Sequence, residues 1–197
     1  MNATIELKKE NVTAAYSVAD ANTKKVLAAL FGDVVNRPTP TLDDYKTIQE
    51  YEDACTALGE ALINETELKK AGVPSHLIAL MKLETISRAL WGKNFQPTPD
   101  PEGKKTYWYP WFALYTKQEL ERMDEDDRGS LLSAHAHHGA IAGFGPLYTS
   151  LRSSNAYAIL GFRLCQETDE KATYLGRKFI KLWAEYHMFN FKIVEDK

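Results

Sequence analysis

The sequence predicts an α+β fold, because helical patterns come first, strand-like segments follow, and a helix comes near the end. Apolar residues recur at three- and four-residue spacing through much of residues 10–90 and again after Thr168. Between these regions lie an aromatic run at 107–115 and a stretch at 129–165 that is rich in Gly, Ser, Ala and Tyr and has no helical period. The chain contains no internal repeat.

Composition narrows the class of function. With 197 residues, 44% of them hydrophobic and 26% charged, the chain suits one globular domain with a short appendage. A net charge of −3 argues against a nucleic-acid partner, which would require a basic face. No apolar run approaches the ~18 residues that span a bilayer, so we expect no direct membrane insertion. The N-terminus shows no Sec signal, which predicts cytoplasmic synthesis. Cys55 and Cys165 are far apart, and we expect two reduced, buried thiols.

The first segment is predicted to be helical and separate from the rest. One helix is expected over residues 10–31, with Gly32 as its stop. The segment 36–41 contains Pro38 and Pro40, which cannot continue a helix, so we place a domain boundary there. Residues 1–36 are too few to bury a core of their own. We therefore expect them to attach residues 37–197 to a larger partner or to other copies of the chain.

Two more helices are expected before residue 100. Ile48 to Ile63 carries apolar residues on one face, and a further helix is expected to start at Pro74-Ser75, with Ser75 as its cap. Gly92 is expected to close that helix. Gln96 to Lys105 is rich in Pro and charge, which predicts a loop.

The second half of the chain is expected to supply the strands. The run from Tyr107 to Tyr115 favours a strand, and Pro110 moves it to a sheet edge or a bulge. We assign Trp108 and Trp111 to the core or to a domain interface, in preference to a carbohydrate-stacking platform. Thr116 and Glu119 form a capping-box pattern for a short helix that ends near Asp126.

The end of the chain is predicted to be helical and then extended. Thr168 has the position of an N-cap, and Phe189 to Val194 is a candidate closing strand. The residues expected to face inward from a single long helix are Ala172, Leu175, Phe179, Leu182, Trp183 and Tyr186.

The most unusual segment is the one predicted to form short strands joined by loops. None of the 37 residues from Gly129 to Cys165 is Lys, Glu, Gln, Met or Trp, although these five types make up about 28% of the other 160 residues. The segment is not simply apolar, because it holds three histidines, Arg152, Asn155 and several serines. The five absent types share a genetic property: none has a codon that ends in a pyrimidine.

This pattern resembles the variable region of the target proteins of diversity-generating retroelements. The resemblance is carried by Gly139-Ala140-Ile141-Ala142-Gly143, by the Ser- and Asn-containing stretch that follows, and by Gly161-Phe162-Arg163-Leu164. In that family a template rich in Asn codons is copied with errors at adenines. The resemblance implies a C-type-lectin-like fold over residues 37–197, a variable region at about 133–164, and a phage tail or bacterial surface as the setting. The aromatic run and the Gly176-Arg177-Lys178-Phe179 segment also look like a group from gut bacteria and their phages.

The resemblance implies a binding protein, with no catalytic residue, that displays a diversified contact surface to a protein or glycan receptor on a cell. Large side chains with few rotors suit such a surface. The expected contact positions are His135, His137, His138, Ile141, Phe144, Tyr148, Leu151, Arg152, Tyr157 and Leu160. The expected scaffold positions are Gly139, Ala140, Ala142, Gly143, Gly161, Phe162 and Arg163.

Three other interpretations stay open. The chain could be a structural virion protein of the same fold whose segment does not vary, or the segment could simply form a sheet core of small residues. The chain could also be a metal-dependent hydrolase, since His135 and His137 would share one face of a strand and imidazoles ligate zinc. The nearest carboxylates, at 125–127, precede the segment, and no nucleophile elbow, P-loop or Cys-x-x-Cys is present. We therefore expect no metal and no other cofactor.

Overall fold

The fold is α+β, with eight described α-helices, two short 3₁₀ helices at Tyr45–Thr47 and Phe162–Leu164, and a four-stranded antiparallel sheet. The structure is a computed structural model that describes residues 7–98, 102, 104–122, 124, 132–135, 141–153, 162–187 and 192–193. The chain divides into two compact units, Met1–Thr39 and Pro40–Lys197, and the division falls within the proline-containing segment at 36–41.

The first unit contains two helices where the sequence predicted one. Helix α1 covers Lys9–Val18 and helix α2 covers Ala21–Val35. The chain breaks between them because Asp20 is extended and its carboxylate accepts a hydrogen bond from Thr23 N–H at 2.8 Å. An aspartate in this position is a favourable N-cap. Gly32 does not stop the helix; it lies inside α2, just after a kink at Phe31.

The second unit begins with short helices. Helix α3 covers Tyr51–Leu58 and helix α4 covers Glu65–Lys70. The predicted span from Ile48 to Ile63 was too long because Gly59, in the left-handed region with φ 69°, ends α3. Helix α4, capped by the Asn64 side chain, was not predicted.

Helix α5, Ser75–Trp91, is the longest described helix. Its N-cap is Pro74, which supplies no side-chain cap, so the prediction that Ser75 is the cap is wrong. Gly92 closes the helix as predicted, with φ 75°. Only glycine fits here, because a Cβ on Gly92 would lie 2.8 Å from the carbonyl oxygen of Leu42.

The sheet has the strand order β1-β3-β2-β4, with all pairs antiparallel. The strands are β1 at Thr106–Tyr115, β2 at Leu132–His135, β3 at Ile141–Ser153 and β4 at Lys192–Ile193. Strand β1 ends the order, and its pairing with β3 has a bulge between Trp111 and Phe112. Both the edge position and the bulge agree with the expectation from Pro110. Strand β4 lies within the predicted closing strand.

Three further α-helices complete the set of eight. Helix α6, Lys117–Arg122, begins with the predicted capping box: Glu119 N–H donates to Thr116 Oγ1 at 3.3 Å, and Thr116 N–H donates to Glu119 Oε2 at 2.7 Å. Helix α7, Asp169–Lys178, has Thr168 as its N-cap, as predicted. Helix α8, Ile180–His187, follows a break at Phe179 where a single long helix was expected.

The core lies where α3, α5, α7 and α8 meet the sheet. Trp183 is fully buried, and its indole N–H donates to the carbonyl oxygen of Leu175 at 3.1 Å. The predicted inward set is confirmed at its buried members Ala172, Leu175, Phe179 and Trp183. Cys55 and Cys165 are buried free thiols, as predicted.

Candidate ligand-binding face

Strand β1 separates two environments, because alternate residues of a strand lie on opposite faces of the sheet. On one face, Pro110 is buried and its Cβ lies 2.7 Å from the position that a Cβ on Gly176 of α7 would take. On the same face the ring of Phe112 lies 5.0 Å from that of Trp183 in α8. We call this the helix-side face.

The opposite face, here called the outer face, is covered at one end. Tyr107 and Tyr109 are buried there, packed with Cys165 and Phe95. The Tyr107 hydroxyl donates to the carbonyl oxygen of Thr98 at 2.6 Å and accepts from Thr98 N–H at 3.0 Å. The loop around Phe95–Thr98 is therefore tied onto this end of the sheet.

The cover ends at Trp111, the next residue of β1 on the outer face. Its side chain is 39% exposed, whereas Tyr109 is only 6% exposed. The sequence assigned Trp111 to the core or to an interface, and so missed it as a candidate contact. The signal that was available is the alternation of the run: Tyr107, Tyr109 and Trp111 share one face, and Pro110 lies on the other.

The register of β3 brings predicted contact positions onto the outer face. Tyr148 is the partner of Trp111, and Arg152 is the partner of Tyr107. Residues directly opposite in an antiparallel pair occupy the same face. Tyr148 therefore lies at the open end of the outer face, and Arg152 lies at its covered end.

The same face continues across β2. Beyond the bulge, Gly143 of β3 is paired with both Tyr115 of β1 and Ser133 of β2. Ile141 pairs with His135, two residues further along each strand. One face of three neighbouring strands thus carries four positions, which we call the outer patch: Trp111, Tyr148, Ile141 and His135.

Two predicted contact positions lie on the other face. Leu151 is the partner of Trp108, and Phe144 is the partner of both Leu114 and Leu132. Both positions alternate with the outer set and belong to the helix-side face. Neighbouring residues of one strand cannot all contribute to one surface.

Several predicted positions lie outside the described residues. They are the contact positions His137, His138, Tyr157 and Leu160 and the scaffold positions Gly139, Ala140 and Gly161.

The C-terminal end of the predicted variable region and the residues directly after it contact the scaffold. Arg163 forms an ion pair with Glu84 of α5 at 2.5 Å. Gln166 is fully buried and donates from Nε2 to Ser87 Oγ at 2.8 Å, while its backbone exchanges two hydrogen bonds with Trp108. The buried Gln166 contacts to α5 and β1 therefore hold the residues after the region in place, whereas the ion pair of the exposed Arg163 adds little.

Cys165, which directly precedes Gln166, has an unreactive thiol. Burial raises the pKa of Cys165 to about 12 and raises the pKa of the Tyr109 phenol beside it. A thiol with such a pKa is protonated at neutral pH and is a poor nucleophile and a poor metal ligand. Cys165 is thus a packing residue at the covered end of the outer face.

The described residues supply little for a metal site or a membrane span. Within the described ranges, no group of three or more His, Cys, Asp or Glu is placed to hold a metal ion. His137 and His138 are not among those residues, so the metal alternative for the histidine cluster is not tested. No helix in the described part of the chain is both long and apolar enough to cross a bilayer.

Comparison with protein-family models, with curated proteins and with solved structures gave no match. The candidate site therefore depends on the geometry of the sheet and on the sequence pattern.

Proposed function

We propose that this chain is a binding protein that contacts a protein or glycan receptor on a cell surface through the outer face of its sheet. The proposal is carried by one observation: the register assigns His135, Ile141 and Tyr148, all predicted contact positions, to the same face as the exposed Trp111. Aromatic residues on an exposed sheet face provide large contact area at low entropic cost, as in known recognition surfaces.

The scaffold around this face suits a surface whose residues change. The buried apolar clusters of the described residues are built mainly from α3, α5, α7, α8 and the covered end of β1, and they do not include Trp111, the outer-patch residue whose exposure the structure describes. Substitutions at exposed positions outside a core have little effect on stability. A protein of this construction can change its contacts without losing its fold.

The C-type-lectin-like scaffold and the diversified region belong to this proposal. They are supported by the Gly139–Gly143 and Gly161–Leu164 segments and by the missing residue types at 129–165. The anchoring of Gln166 is the behaviour expected of a constant segment that follows a variable one. We place the protein on a phage tail or a bacterial surface, with residues 1–36 as the attachment or oligomerisation segment.

The genetic test is to sequence the locus in several isolates. We expect a reverse transcriptase gene and a near-identical template repeat nearby, with variation at His135, Ile141 and Tyr148 and constancy at 163–166. An invariant region with no template repeat would support a structural virion protein instead.

The binding test uses an array of glycans and surface proteins from candidate host cells. Tyr148→Ser and Trp111→Ser are expected to reduce binding at least about tenfold, the loss typical of a central contact residue. Leu62→Ser is the matched control, because Leu62 is 57% exposed and is not part of the sheet. Equal binding by all three variants would contradict the proposal.

A further inference from the structure

A second candidate site lies at the C-terminal end of α5, in a cavity of about 470 Å³. This volume falls within the range of small-molecule pockets. Its walls include Trp91 and Phe95 as aromatic residues, Arg88, Lys93 and Arg163 as cations, and Gln96 as a neutral polar residue. None of the described residues that line it is acidic.

The aromatic wall is held in position by contacts on its far side. Trp91 donates from its indole N–H to the carbonyl oxygen of Cys165 at 2.6 Å. The ring of Phe95 packs edge-on against Trp91 at 6.2 Å and against the buried Tyr107 at 5.8 Å. Gly92 ends α5 with φ 75°, and the chain after it brings Phe95 against Trp91 at the end of that helix. A ligand would therefore meet a preformed ring surface.

The three cations differ in how firmly they are held. Arg88 makes a two-pronged pair with Glu60, at 2.5 Å and 2.7 Å, and its side chain is 31% exposed. Lys93 pairs with Asp43 with both side chains at least 60% exposed. Arg163 pairs with Glu84 and is itself 75% exposed. Exposed ion pairs of this kind contribute little to stability, so Lys93 and Arg163 can exchange a protein carboxylate for a carboxylate of a ligand at small expense.

We propose that this cavity binds a small carboxylate ligand that also carries a ring. The ring would lie against Phe95, and the carboxylate would accept hydrogen bonds from Lys93 and Arg163 in place of Asp43 and Glu84. A guanidinium and an ammonium group both form strong charge-assisted hydrogen bonds with a carboxylate. This site is separate from the outer patch and does not depend on the proposed receptor binding.

The first test measures whether the cavity binds a small acid that carries a ring. The full-length protein, labelled with ¹⁵N, is titrated with benzoate and with glucuronate up to about 10 mM, a range suited to the weak binding of so small a ligand. Saturable shifts of the backbone amides of residues 92–96 are expected with at least one acid and not with its neutral counterpart, benzyl alcohol or glucose. Absence of saturable shifts with both acids, or equal shifts with the neutral compounds, would overturn the proposal.

Substitutions then separate a specific site from general attraction to charge. Lys93→Met and Arg163→Met are expected to weaken binding about 3- to 10-fold, since each removes a charge-assisted hydrogen bond. Asp43→Asn and Glu84→Gln are expected to tighten it about 2- to 5-fold, the factor that corresponds to an exposed ion pair. Such a gain cannot result from misfolding.

Lys70→Met and Arg122→Met serve as matched controls, since neither residue lines the cavity. If these controls weaken binding as much as the cavity variants, or if Asp43→Asn and Glu84→Gln both weaken it, the assignment is wrong.

Discussion

Gly176 lies where helix α7 crosses strand β1, and its missing side chain allows the close packing of the two elements. A Cβ at this position would lie 2.7 Å from Pro110 Cβ and 3.7 Å from the ring of Phe112. Both neighbours belong to strand β1, and the Phe112 ring packs against Trp183. Neither can therefore move without disturbing the sheet. The same strand carries Trp111 on its outer face, which links this contact to the candidate site.

We expect Gly176→Ala to lower the free energy of unfolding by about 1–3 kcal/mol, as overpacked core substitutions do. Urea denaturation followed by circular dichroism measures this change. Gly32→Ala is the matched control: it also lies in a helix, its nearest contact would be an ordinary 3.6 Å, and replacement of a helical glycine by alanine is expected to stabilise by about 0.5–1 kcal/mol. Equal effects of the two substitutions would contradict the close packing at Gly176.

Cys165 makes a second prediction at the residue scale. It is fully buried and its pKa is raised to about 12 by burial, so the reactive thiolate is scarce at pH 7–9. We expect alkylation of Cys165 by iodoacetamide to be at least about a hundredfold slower in the native protein than in urea. Peptide mass spectrometry at successive times measures the rate. Rapid native labelling would show that the covered end of the outer face opens readily.

At the scale of elements, the sequence predicted best where local chemistry decides the structure. Pro110 indicated an edge strand with a bulge, Thr116 with Glu119 indicated a capped helix start, and Gly92 indicated a helix end. Each signal acts within a few residues, through a missing donor, a side-chain cap or a positive φ. The structure agrees with all three.

The predictions failed where two local signals compete or where distant residues decide. Asp20 breaks the first helical pattern by capping α2, although the apolar residues on both sides suggest one helix. Of the candidate site, the sequence identified the segment but not which residues share a face. That depends on the pairing of Tyr148 with Trp111, 37 positions apart in the chain, and on the bulge beside them. Periodicity within one strand carries no information on its partner.

Strand β3 therefore offers a test of alternation. Leu151→Ala, on the helix-side face, is expected to destabilise by about 2 kcal/mol or more, as large-to-small core substitutions do. Tyr148→Ala, on the outer face, is expected to change stability by less than about 1 kcal/mol, the contribution of a cross-strand pair. Thermal unfolding of both variants measures the difference. A larger loss at Tyr148 than at Leu151 would mean that the outer patch is part of the core.

At the scale of the whole molecule, the two units differ in how much apolar surface they bury. Both hydrophobic clusters of the described residues belong to Pro40–Lys197. In the described part of Met1–Thr39, Val12 is the one apolar residue that is buried, while Val18, Val26 and Leu30 are 86%, 57% and 67% exposed. Exposed apolar residues concentrated in one small unit are typical of an association surface.

We therefore expect the full chain to self-associate through helix α2, where Val26 and Leu30 are one turn apart and both exposed. Identical apolar patches meet readily in a closed symmetric oligomer. Val26→Lys combined with Leu30→Lys is expected to yield a monomer with an unchanged melting temperature, because the buried clusters lie in the other unit. Sedimentation equilibrium measures the mass, and Leu62→Lys, at a comparable exposure of 57%, is the control. A wild-type chain that stays monomeric at about 100 µM would contradict self-association and leave α2 as an attachment to a different protein.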